Sequence, residues 1–89
     1  MKNKKSKIEI SVELDDNKIP EKIFWSATDA GIENSHTKAT FLSVWDSEKK
    51  ESLRIELWTK DMPLDEMKIF FYQIKQSQKI LLLAYMKIK

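Results

Sequence analysis

Eighty-nine residues with no cysteine, one histidine, one glycine and two prolines make a single small domain, and they exclude a disulfide framework, a structural zinc site and a Gly-rich phosphate loop. At 42% hydrophobic and 34% charged, the composition is that of a folded soluble chain rather than a disordered one. The net charge of +2 is unevenly spread: residues 1–7 carry four lysines and no acid, residues 68–89 carry five lysines and no acid, and residues 8–67 carry all 14 acids against six lysines and Arg54.

In chain order, Ile8, Ile10, Val12 and Leu14 alternate with Glu9, Ser11 and Glu13, the period-two signature of a strand with one wet face. Asp15, Asp16 and Asn17 break it, because their short side chains bond nearby backbone and favour turns. A second strand is expected near Lys22 to Ser26, with Pro20 at its entrance. Residues 27–37 hold the glycine and read as a loop. A third strand over Lys38 to Trp45 and a fourth over Leu53 to Trp58 form a hairpin with a longer connection; Asp29 and Asp46 each follow a strand end and are placed to accept backbone N–H bonds.

Pro63 suits the first turn of a helix, Thr59 or Asp61 its N-cap, and Asp65 and Glu66 complement its positive end, so a helix is expected from Met62 to Leu64 onward. Leu64, Met67, Phe70, Phe71 and Ile74 recur at three- and four-residue steps, a stripe that should lie on the sheet. The expected fold is therefore α+β: a four-stranded antiparallel sheet with one C-terminal helix packed on one face. Its expected core is Leu53, Ile55, Leu57, Met67, Phe70 and Ile74. Residues 1–7 are expected to be a basic tail, 8–79 the sheet-plus-helix domain, and 80–89 an apolar and basic end. Lys2 to Lys7 and Lys87 to Lys89 are expected to be mobile and solvated.

The middle strands carry bulk at both parities: Ile23 and Trp25 against Phe24, and Phe41 and Trp45 against Leu42 and Val44. One helix covers one face of a sheet, so some of Phe24, Phe41, Trp45 and Trp58 should meet water. Trp58 shares parity with Arg54, and a tryptophan beside an arginine is the kind of pair that dominates interface energetics. Trp58, Arg54, Trp45 and Phe41 are the candidate partner-binding residues. Ile80 to Met86 has no polar face and must bury against something, which leaves self-association open.

Catalytic equipment is sparse. His36 stands alone, and the pairs Asp15 with Asp16 and Asp65 with Glu66 have turn and helix-dipole explanations. Neither enzyme activity nor a cofactor or metal site is expected. The single arginine and terminal lysines are not the footprint of a nucleic-acid binder. The longest apolar run, Ile80 to Met86, is far below the roughly 20 residues needed to span a bilayer, and the basic start lacks a signal-peptide core, so a cytoplasmic location is expected.

The runs Val12 to Asp16, Pro20 to Asp29, Lys38-Ala39, Val44 to Asp46, Leu53 to Met62 and Glu66 to Phe71, in this order, resemble the GldC family, the gliding-motility-associated proteins of Bacteroidota. The resemblance runs from about Ser6 to Gln73. It implies a cytoplasmic accessory component of gliding motility, without recognised enzymatic activity and acting as a protein–protein interaction module. Trp25, Ala27, Asp29, Trp45, Asp46 and Leu57 to Lys60 occupy its signature runs, where sheet packing and turn chemistry account for them. After Gln73 the chain departs from the longer, more acidic helix that the family implies. The alternative function is a SecB-like polypeptide-binding or chaperone-like module, on the analogy of four antiparallel strands followed by a long helix. Deleting residues 1–5 should leave the denaturation midpoint nearly unchanged; a large loss would mean that the tail covers a sheet face.

Overall fold

The computed structural model describes residues 3–88. Five strands precede one helix: β1 (Ile8–Leu14), β2 (Pro20–Ala27), β3 (Ile32–Thr37), β4 (Ala39–Asp46), β5 (Glu51–Trp58) and α1 (Leu64–Ile88). All strand pairings are antiparallel, but the strands form two sheets, β1-β2-β3 and the hairpin β4-β5, in place of the expected single four-stranded sheet.

The added strand is β3, Ile-Glu-Asn-Ser-His-Thr, which lies inside the expected loop. One apolar residue in six gives it no alternation to read. It is held as an edge strand by its ladder to β2, with Phe24 opposite His36 and Trp25 opposite Ser35. The register slips between Trp25 and Ala27, where Asn34 takes a left-handed φ of 48° and donates its N–H to Ser26 Oγ at 2.9 Å. Gly31, at φ 74°, closes the short 3-10 turn Thr28–Ala30 that leads into β3.

The two tight hairpins share one device. Asp15 accepts the N–H groups of Asn17 and Ile19 at 2.8 and 3.0 Å, and Lys18 completes the turn at φ 63°. Asp46 accepts those of Glu48 and Lys49 at 3.0 and 3.2 Å, with Lys50 at φ 56°. An aspartate at the strand end thus satisfies the turn amides, and a lysine tolerates the left-handed position that favours glycine.

Helix α1 runs unbroken for 25 residues, about 37 Å at 1.5 Å per residue, with Asp65 and Glu66 in its first turn and Lys87 in its last, as the helix dipole favours. Residues 80–88 therefore continue the same helix, and Lys87 is helical rather than part of a mobile tail. Asn3 to Lys7 are exposed and take no regular structure, while Lys2 and Lys89 lie outside the described residues. The helix docks through its first half only. Phe70 and Phe71 set their rings 4.9 and 5.3 Å from that of Phe41, and Met67, Phe70 and Ile74 are half-buried. Leu64 and Phe71 of the expected stripe are exposed, as is every described residue from Lys75 on.

This docking corrects the expected core. Phe41 faces Glu56 in the hairpin ladder, so it lies on the same side as Arg54 and Trp58 and opposite Leu53, Ile55 and Leu57. The helix lies on that Phe41 side. Leu53 and Ile55 consequently remain 50% and 56% exposed, and Leu57 is half-buried. Among the described residues only Ile23 and Thr59 are fully buried. Ile23 sits at the centre of the three-stranded sheet, paired with Val12 and Thr37. Thr59 follows β5; its N–H donates to the Lys38 carbonyl at 2.8 Å, and its hydroxyl donates to Asp61 at 2.6 Å instead of capping the helix. Ile23→Ala should cost about 2 to 5 kcal/mol, the range for emptying a buried aliphatic site. An unchanged urea midpoint would remove Ile23 from the centre of the fold.

Candidate interaction surface

The β4-β5 hairpin offers two different faces because successive side chains on a strand point oppositely. Phe41, Trp45, Arg54 and Trp58 share one face, because the register sets Phe41 opposite Glu56 and Trp45 opposite Ser52. They are not equally available. Phe41 is half-buried under Phe70 and Phe71, whereas Trp45 and Trp58 are 65% and 54% exposed. Nor do they form one cluster. Trp58 lies opposite Ala39, diagonal to Phe41, while Trp45 lies opposite Ser52, six residues or roughly 20 Å along β5 from Trp58. Arg54 sits between the two tryptophans with its Nε 3.9 Å from Glu56 Oε1, an exposed pair that leaves the guanidinium free to exchange partners.

Trp58 borders a shallow cavity of about 260 Å³ shared with Ile19, Pro20, Glu56, Leu57 and Lys60. The rim is fixed electrostatically. Lys60 Nζ is hydrogen-bonded to Asp15, which ties the β1–β2 turn to the linker after β5. The Lys60 ammonium and the backbone amides of Ile19 and Asn17 hold the Asp15 carboxyl below its ordinary value of 3.8, and Asp15 in turn raises Lys60 above 10.5. Asp61 is lowered as well, chiefly by the Thr59 hydroxyl.

The opposite face carries Thr40, Leu42 and Val44 of β4 with Leu57, Ile55 and Leu53 of β5 directly across. Between this face and β1 runs an apolar groove of about 460 Å³, lined by Ile8, Ile10, Val12, Thr40, Leu42, Ile55 and Leu57. The signal for it was present in the alternation of the first and fourth strands, but one helix was assigned to cover that face. His36, expected in a loop, stands on β3 with its ring 5.2 Å from Phe24 and borders a cleft of about 370 Å³ with Lys38 and Glu66. Asp29 falls in the 3-10 turn rather than at a strand end.

No helix among the described residues is long and apolar enough to cross a membrane. Architecture and surface together describe a small α+β module whose distinguishing feature is an exposed, partly aromatic hairpin. A model of the gliding motility-associated GldC-like proteins matches residues 20–79, sixty of the 89, and the chain belongs to that family. Membership associates it with gliding motility. The match ends one residue before the apolar run that starts at Ile80. No curated protein and no solved structure matches the chain.

The depressed carboxylates make a signed prediction. A group whose folded pKa lies below its unfolded value adds stability that is complete above the unfolded value and is lost as pH falls through the folded one. For Asp15 and Asp61 the loss lies below 3.8, and for Lys60, raised in the fold, it lies above 10.5. Stability should therefore fall as the solution is acidified below that range, and Asp15→Asn should shallow the acid slope. An identical acid slope in the variant would show that the Asp15–Lys60 tie does not contribute.

Proposed function

We propose that this GldC-like chain is a non-enzymatic protein–protein interaction module of the gliding apparatus, acting in the cytoplasm and binding its partner through the hairpin face around Trp58 and Arg54. The observation that carries the reading is that Trp58 stays exposed on the face it shares with Arg54, although the helix covers Phe41 on that same face. A half-exposed tryptophan and a guanidinium on one strand face combine apolar area with a charge-assisted donor, the composition of interface hot spots. Trp45, at the far end of the same face, extends the footprint, while Phe41 supports it from beneath through its contact with the helix. The cytoplasmic placement and the adaptor role rest on the family resemblance. The SecB-like alternative rests on the analogy of antiparallel strands followed by a long helix, a likeness of fold alone.

Trp58→Ala should leave the unfolding midpoint within roughly 0.5 kcal/mol of the parent, because the side chain is exposed. Capture of gliding-apparatus proteins by the tagged chain should fall by an amount corresponding to about 2 kcal/mol where Trp58 is a hot spot. Unfolding of the variant, or undiminished capture with intact gliding, would place the binding surface elsewhere.

A further inference from the structure

We propose that two copies of this chain pair, each laying the Ile80–Met86 segment of its helix into the apolar groove between the two sheets of the other. The inference is independent of the partner assigned to Trp58, since groove and tryptophan occupy opposite faces of the hairpin.

The surface area demands a cover. The chain exposes 8325 Å², whereas a compact monomer of 10.6 kDa exposes about 5,500 Å² by the size scaling of folded proteins. The excess is roughly 2,800 Å², more than the ~1,000 to 2,500 Å² that each partner contributes to an obligate interface. The radius of gyration agrees, at 16.0 Å against about 12 Å for a compact chain of this length.

Two apolar features stand exposed, the groove and the helix end, and the chain's own helix lies on the hairpin face away from the groove. The groove side chain Ile55 is 56% exposed, and Ile80, Leu81, Leu82, Leu83 and Met86 at the helix end are exposed as well, Leu82 at 59%. The chain's own helix is committed to the reverse side of the hairpin by Phe70 and Phe71 on Phe41. A second copy resolves both exposures at once in a self-complementary, two-fold arrangement. The lengths are commensurate: two helical turns from Ile80 to Met86 rise about 10 Å, and β1 from Ile8 to Val12 runs about 13 Å.

Net charge favours the body of a second copy over helix-to-helix pairing. Residues 68–89 carry five lysines and no acid, while residues 8–67 carry 14 acids against seven bases. Setting the helix of one copy on the body of the other joins +5 to −7, whereas pairing two helix ends sets lysines against lysines.

The chain contains no cysteine, so single-cysteine variants report cleanly on proximity. Sedimentation of the full chain at micromolar concentration should give twice the 10.6 kDa of one chain. A short bis-maleimide should join Ile55→Cys in one copy to Leu82→Cys in a mass-tagged other copy, and should fail to join Arg54→Cys to Leu82→Cys. A one-chain mass overturns the proposal and leaves the groove to another protein or to solvent. Linkage of Leu82→Cys to itself without the mixed product overturns it in favour of helix-to-helix pairing, and far-UV circular dichroism of each variant separates loss of pairing from loss of fold.

Discussion

A hairpin with large apolar side chains on both faces needs two covers, and the described residues supply one α-helix. The rest of the structure follows from that shortage. Phe41 takes the helix, so Leu42, Ile55 and Leu53 on the reverse face are left facing water across a groove from β1. Among the described residues only Ile23 and Thr59 are fully enclosed, a small interior for a chain that has no cysteine for a disulfide to compensate. Packing inside the protomer is correspondingly open. Trp25, Ile10, Phe41 and Phe70 surround a further cavity of about 330 Å³ where the three-stranded sheet meets the helix.

What orders so thinly packed a chain is local. Asp15 and Asp46 each satisfy two turn amides, Ser26 meets the orphan amide of the bulge at Asn34, and Thr59 joins the end of β5 to Lys38. The Asp15–Lys60 bond then links two loops distant in sequence and holds the rim of the cavity beside Trp58. Polar geometry at the strand ends therefore positions the aromatic face, while the apolar faces it frames remain open for association. The proposed adaptor role fits such a molecule, because the surface proposed for it is carried on a regular strand pair rather than on a loop.

Much of this was legible in the sequence. Strict alternation located β1 and β5, Pro63 and the following acids located the helix start, and Asp46 was placed as a turn acceptor from its position alone. That Trp45 shares a face with Phe41, and Trp58 with Arg54, followed from parity; the register of the hairpin sets both pairs on one face. β3 was hidden because five of its six residues are not apolar and its pairing partner, not its own pattern, makes it a strand. The side on which the helix lies was hidden for a different reason. The alternation of β5 points to the Leu53, Ile55 and Leu57 face, but the helix lies on the other, where the rings of Phe70 and Phe71 meet Phe41 of β4. The family resemblance located the chain correctly but carried no information about the cover for Ile80 to Met86, where the family match has already ended.

The most direct measurement is amide hydrogen exchange of the full chain as a function of its concentration. A helix end solvated on all sides opens easily and exchanges fast, whereas one seated in a partner's groove opens only when the pair separates. The account predicts that the amides of Ile80–Met86 are protected, together with those of Leu42 and Ile55, and that protection of both segments rises in step with concentration. Protection confined to residues 64–74 of the helix and independent of concentration would contradict it.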